Sequence, residues 1–340
     1  MRSRPAQNPP NPWLGQQVEW DDGPDLPGRR AEVTLLEDAT REILSRNDSF
    51  PELGWRWSLN PYRGCLHACA YCYARPYHEY LGLGAGTDFD TRIVVKRRAP
   101  ALLRAAFERT AWRGERIAFS GATDAWQPLE SKLGLTRACL AVCAEYRNPV
   151  SIVTKSALIE RDLDLLVQLA QASSVRVAVS LPFLDPALAR ALEPWAPSPE
   201  RRLRTIAALA AAGLSPAVLV APVVPGLDDE VPRVLAAARE AGAAGAHWAP
   251  LRLPGSTAAV FEARVRDALP DAAGRILHLV AEAQPRPGRR VTPYAATIAK
   301  VFEVAARRHG LGLDEARDEG ADGPTPFRRP READQLPLFS

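Results

Sequence analysis

The stretch RGCLHACAYCYARPYHEYLG, residues 63–82, places Cys65, Cys69 and Cys72 in the spacing C-x3-C-x2-C. Thiolates are nucleophiles and soft metal ligands, and three so close on one loop are placed to grip one inorganic group. The preceding SLNPYRG, with Pro61 and Gly64, marks a tight loop. Three chemistries compete for this set. A structural zinc needs four ligands in a closed tetrahedron, with His67 or His78 drafted as the fourth, but the paired CxxC layout of common zinc modules is missing. A ferredoxin-type cluster takes four cysteines, so Cys139 or Cys143 would have to join. Those two stand four apart on one face of a predicted helix, where small apolar core residues are the simpler reading. In the third chemistry three thiolates hold three irons of a [4Fe–4S] cube, and the fourth iron keeps an open site for a small molecule.

A loop of this kind needs a frame. Apolar β-type runs alternate with helical patterns: TRIVVK (91–96), RIAFSG (116–121), PVSIVTK (149–155), VRVAVSL (175–181), SPAVLVAPVVPG (215–226) and AHWAPLRL (246–253) each precede an amphipathic stretch. The runs are continuously apolar, as in strands covered on both faces. Strand then helix, about six times over, predicts an α/β fold with a parallel sheet, closed as an open or partial (β/α) barrel. In such folds the chemistry sits at the carboxyl ends of the strands. Here those ends carry Ser120, Gly121, Ala122, Thr123 and Asp124, then Thr154, Lys155 and Ser156, then Ser180, Pro222 and Pro250. Of the 43 basic residues only Lys96, Lys132, Lys155 and Lys300 are lysine, which singles out Lys155 at a strand end.

The chain has 340 residues, 46% of them hydrophobic, enough for one large core. A net charge of +3 argues neither for nor against nucleic acid. No apolar run is long enough for a membrane span, and the first residues lack the apolar segment of a signal peptide. Five cysteines, three of them clustered, make a poor disulfide framework and a good metal site in a reducing compartment, so a cytoplasmic protein is expected. Residues 1–30 and 312–340, rich in Pro, Gly and charge, read as disordered tails around one domain over 31–311.

The motif with its aromatic Tyr71, set in the βα alternation, resembles the radical S-adenosylmethionine (radical SAM) superfamily and its partial (β/α)6 TIM-type barrel. NPYRGCLHACAYCYARPYHEYLGLGAGTDFDTRIVVK, SGATDAWQPLE and TKSALIERDLDLL together resemble the branch related to spore photoproduct lyase, the DNA-repair-photolyase-like proteins, over roughly 55–300. The resemblance implies a [4Fe–4S] cluster on Cys65, Cys69 and Cys72, and reductive cleavage of S-adenosylmethionine to a 5′-deoxyadenosyl radical that abstracts hydrogen from a substrate. It implies Tyr71 against the adenine and Ser120, Thr123 and Asp124 near the methionine part. It places Lys155 on the carboxylate and Ser180 on the ribose. It also implies an electron donor such as flavodoxin or ferredoxin, and a DNA lesion or modified nucleobase as substrate. Spore photoproduct lyase uses a further cysteine as hydrogen-atom donor, and AFSGATDAW holds none. Apart from the resemblance, Asp124 and Thr123 also suit a helix N-cap, Ser180 a simple strand end, and Lys155 a solvated charge. Tyr73, Tyr77, His78 and Tyr80 are candidates for a substrate mouth.

The end of the chain, QLPLF (Gln335 to Phe339), resembles the short peptide by which bacterial repair and replication proteins bind the sliding clamp. Two alternatives stand beside the nucleic-acid reading: radical SAM chemistry on a peptide or small molecule, and a non-catalytic iron–sulfur protein that senses redox state or binds a partner.

Overall fold

The computed structural model describes residues 33–47, 56–119, 121–284, 292–313 and 325–330. Ser120, the whole N-terminal tail (1–30) and the Gln335–Phe339 peptide lie outside the described residues.

The strands are β1 (Thr34–Glu37), β2 (Leu44–Arg46), β3 (Trp57–Leu59), β4 (Tyr62–Arg63), β5 (Arg92–Val95), β6 (Ile117–Phe119), β7 (Val150–Thr154), β8 (Val175–Ser180), β9 (Ala217–Val223) and β10 (Gly245–Pro250). The helices are α1 (Thr87–Thr91), α2 (Ala99–Glu108), α3 (Glu130–Leu133), α4 (Leu135–Glu145), α5 (Leu163–Ala172), α6 (Pro186–Leu192), α7 (Pro199–Ala211), α8 (Val231–Glu240), α9 (Thr257–Ala268), α10 (Pro270–Ala283) and α11 (Pro293–Arg308). The larger sheet has the order β10-β9-β8-β7-β6-β3-β2, parallel throughout except for β2 at the edge. This is the expected α/β frame, with six parallel strands and helices in the crossovers.

Its composition differs from expectation at one strand. The apolar run at 91–96 forms β5, which lies in a separate small sheet between β1 and β4. The first parallel strand is instead β3, whose three residues are too few for a periodicity to show. A second difference concerns burial. Strands β7 to β9 alternate buried with half-buried positions instead of being covered on both faces. Val150, Ile152, Val177, Val179, Val218 and Val220 join the helices in the main core with Leu166, Leu169, Ile206 and Leu209. Ser151, Val153, Ala178, Leu219 and Ala221 alternate with these and are half-buried, so one face of the open sheet is less covered than the face that packs on the helices.

Several helices start on the residues that sequence chemistry favours. Ser198 accepts from the Arg201 N–H, Asp185 from Ala187 and Leu188, and Thr292 from Ala295, each satisfying a free amide of a first turn. Cys139 and Cys143 are fully buried in the α4 face of the core, as small apolar residues.

The C-terminal tail is not featureless. Residues 325–330 return to the amino ends of the strands. Phe327 packs on Tyr146 at 6.1 Å and edge-on to Phe107 at 5.6 Å. Thr325 Oγ1 donates to the Gly114 carbonyl (2.8 Å), and Arg329 Nε donates to that of Phe107 (2.9 Å). Gly114 has φ of 75°, and a Cβ there would fall 2.2 Å from the Phe327 Cβ, so the strip can close only over a glycine.

Candidate active site

The cysteine loop leaves β3 through Asn60 and Pro61, passes β4 and turns at Gly64. There φ is 82°, and a Cβ would stand 2.8 Å from both His78 Cε1 and the Phe89 carbonyl oxygen. The turn is fastened from outside. Thr123 Oγ1 (2.7 Å) and Gln127 Nε2 (3.1 Å) donate to the Gly64 carbonyl, while Leu66 N–H donates to Gln127 Oε1 (2.9 Å). Buried Arg75 is a second fastening. Its guanidinium donates to the carbonyls of Cys69 (2.9 Å), Ala85 (2.8 Å) and Gly86 (3.1 Å), pairs with Asp90 at 3.0 Å, and lies over the Phe89 ring. Gly64→Ala is therefore expected to lower stability by at least about 1–2 kcal/mol, the cost of a left-handed alanine before any clash. Urea unfolding measures it, and an unchanged midpoint would contradict the close approach.

The three thiols are free, Cys65 and Cys69 buried and Cys72 half-buried. Burial pushes each thiol up, Cys65 to about 12 with the Asp124 carboxylate adding to it; Cys65 also feels Cys72, and Cys69 feels both of the others. Lys155 works against this at Cys69, and Arg75 at Cys72. Three close thiols, two buried and one half-buried, that would repel one another as thiolates are a donor set suited to a cationic metal group, which would offset that repulsion. Among the described residues no group of three or more His, Cys, Asp or Glu converges as a single-ion site requires. The two histidines considered for zinc are otherwise placed. His78 is fully buried, its Nε2 donating to the Arg92 carbonyl (2.9 Å) and its ring edge-on to Phe89, which removes it from any substrate mouth. Tyr73, Tyr77 and Tyr80 stand exposed on the turn and 3-10 helix that follow Cys72.

A polar shelf lies at the strand ends. Asp124 is held by three donors: Thr154 Oγ1 (2.8 Å), Lys155 N–H (2.8 Å) and Trp126 N–H (2.9 Å). Its Oδ2 also faces His67 Nδ1 at 3.4 Å. Burial lowers the pKa of His67, with Asp124 opposing. Lys155 Nζ donates to Ser180 Oγ (3.0 Å), which donates on to the Ala221 carbonyl (3.2 Å). The same ammonium lies 3.7 Å from Glu193 Oε1 and 5.7 Å from the Tyr71 ring centre. Tyr71 donates its hydroxyl to Glu193, and Arg202 donates to the other Glu193 oxygen. Arg202 also donates to the carbonyls of Ser180 (3.1 Å) and Pro197 (2.9 Å). Burial opposes ionisation of Glu193, yet Arg202 and Lys155 together hold its carboxyl below the usual range.

The fold thus gathers Tyr71, Asp124, Lys155 and Ser180 around one wall beside the cysteine loop. Thr123 is spent on the Gly64 carbonyl, a structural contact. Sequence reading passed over Glu193 and Arg202. Arg202 was within reach: Arg202, Thr205, Ile206 and Leu209 form the buried stripe of α7, and a charge inside an apolar stripe asks for a partner.

Residues 59–238 match the model of the radical SAM superfamily. An uncharacterized protein of Mycobacterium tuberculosis is 40% identical over 250 residues, covering 73% of this chain and 74% of the relative. Spore photoproduct lyase complexed with dinucleoside spore photoproduct superposes with a TM-score of 0.62 at 16% identity, over 83% of this chain and 82% of that one. A mutant of the same lyase with bound AdoMet and dinucleoside spore photoproduct gives 0.61 over the same shares. The chain belongs to the radical SAM superfamily, whose enzymes bind a [4Fe–4S] cluster and S-adenosylmethionine.

Proposed function

We propose that this enzyme acts on a nucleobase in DNA, a lesion or a modified base, with Cys65, Cys69 and Cys72 as the cluster ligands. The observation that carries the assignment is the juxtaposition of three free thiols on one loop with the Lys155–Ser180–Asp124 shelf. When bound, the cluster and S-adenosylmethionine supply a 5′-deoxyadenosyl radical that abstracts hydrogen. The protein binds, orients and excludes water. Lys155 meets the cofactor carboxylate in a charge-assisted hydrogen bond. Asp124, already held by three donors, keeps an acceptor for the amino group, and Ser180 lies toward the ribose. Tyr71 packs beside the adenine with its hydroxyl fixed by Glu193. A flavodoxin or ferredoxin delivers the electron, in a reducing cytoplasm that keeps the thiols free. The likeness of fold to a lyase complexed with a dinucleoside photoproduct supports the DNA substrate, as do the exposed Tyr73, Tyr77 and Tyr80, whose faces suit base stacking. A product different from that of the lyase is expected, because Cys139 and Cys143 are sealed in the core and offer no thiol hydrogen donor.

The test is anaerobic. Protein reconstituted with iron and sulfide, reduced and given S-adenosylmethionine should release 5′-deoxyadenosine. DNA carrying the substrate base should raise the yield over unmodified DNA and peptide. A bound zinc, or an intact cluster without cleavage under several reductants, would overturn the cofactor assignment. Cleavage that no DNA stimulates would overturn the substrate.

A further inference from the structure

His67 sits between two of the cysteines, on the loop that faces the shelf. It is 1% exposed, and its backbone is tied in by Trp195 N–H, which donates to its carbonyl (3.3 Å). Its ring is surrounded by charge: Asp124 at Nδ1, with Arg202, Lys155 and Glu193 within electrostatic reach. Its other nitrogen, Nε2, is buried and has no hydrogen-bond partner. An unpaired polar atom in such a place is destabilising, a penalty that a bound partner would relieve. His78 Nδ1 is likewise buried without a hydrogen-bond partner, but that ring lies against the Gly64–Phe89 wall, with its Nε2 bonded to the Arg92 carbonyl and no charged strand-end residue of the shelf beside it.

Asp124 fixes what Nε2 can do. Its carboxylate already receives Thr154, Lys155 and Trp126, and so offers the ring an acceptor alone. In the neutral imidazole the ring proton therefore sits on Nδ1, toward Asp124, and Nε2 presents a lone pair. The shelf is then arranged as a cation, Lys155, beside two acceptors, Asp124 and His67. An α-amino acid presents the complement, a carboxylate beside an N–H donor.

We propose that His67 is a cofactor-binding residue whose Nε2 accepts a hydrogen bond from the amino group of S-adenosylmethionine. Asp124 acts on it as a positioning residue by fixing the tautomer. The inference rests on the assignment of the cysteine loop and shelf as the cofactor site.

Binding to the oxidised cluster, which does not cleave the cofactor, tests it. Wild type, His67→Phe and His67→Gln are reconstituted, their iron and sulfide counted, and S-adenosylmethionine affinity measured by anaerobic equilibrium dialysis. Both variants should keep the wild-type iron content. His67→Phe should bind about tenfold more weakly, the loss of one hydrogen bond of about 1.4 kcal/mol. His67→Gln, which restores an acceptor oxygen, should stay within about threefold of wild type. Wild-type affinity in His67→Phe overturns the proposal. Equal weakening in both variants, or loss of iron from either, also overturns it, by making His67 a support of the loop. If the wild type itself fails to bind S-adenosylmethionine, it is the cofactor site that falls.

Discussion

Replacing Cys69 with alanine is expected to reduce bound iron to a residual level and 5′-deoxyadenosine formation to that of a protein-free control, while the chain stays folded. The separation of the two effects follows from how the loop is built. Its path is set by backbone contacts that an alanine keeps. Arg75 Nε holds the Cys69 carbonyl at 2.9 Å, Cys72 N–H donates to that same oxygen at 3.2 Å, and Ala70 N–H reaches the Leu192 carbonyl at 2.9 Å. The substitution removes only a sulfur beside Ala70, Tyr71 and Phe183, a small loss of packing of about 1 kcal/mol. On the proposed assignment, what disappears is one of three covalent anchors, and Cys139 and Cys143, fixed in α4, cannot replace it. Iron analysis, the visible spectrum and a urea melt read the three quantities separately. Full iron content in the variant would sink the ligand assignment, and a collapsed melt would show the sulfur itself to be structural.

Arg202→Met should be the most destabilising single change in the shelf, by about 3–5 kcal/mol at neutral pH, because it leaves the Glu193 carboxylate buried without its main counter-charge. Lys155 at 3.7 Å compensates in part. The effect has a signed pH dependence. In the wild type the folded-state pKa of Glu193 is lowered, so its contribution is present above the unfolded value and is lost as pH falls through the folded one. In the variant, burial without Arg202 raises the folded-state pKa. The carboxyl then folds most easily when protonated, and the gap between variant and wild type narrows as pH falls from neutral toward 5. Urea unfolding at both pH values measures this. Arg202→Met combined with Glu193→Gln should recover much of the loss, since no charge is then stranded. A gap that stays constant on acidification would show that Glu193 is already neutral in the folded protein.

Much of this architecture is legible in the sequence where a short-range rule governs it. The β-branched runs of β7, β8 and β9 state their strands, and a rare lysine after β7 marks the site. The cysteine spacing suggests its chemistry because all three proposed ligands come from one loop. Legibility fails where a residue's role is set by something distant. Glu193 and Tyr71 are 122 positions apart and meet only through the fold. The apolar run of β5 was rightly a strand, but no local pattern says which of two sheets it joins. The short β3 was hidden for the opposite reason: three residues carry too little periodicity, although this strand launches the cysteine loop. His67 was visible as a possible ligand, but its Asp124 contact and its unpaired nitrogen depend on the β6 and β7 ends arriving beside it.

The strip at 325–330 bears on how the protein behaves in solution. Phe107, Trp112 and Tyr146 form one aromatic surface at the amino ends of the strands, and Phe327 with Arg329 is its lid. A chain cut after residue 313 would keep every residue of the cysteine loop and the shelf. It would also bare that aromatic face, and a contiguous patch of this kind promotes self-association. The truncated chain's difficulty would be insolubility, arising on the opposite side of the molecule from its chemistry.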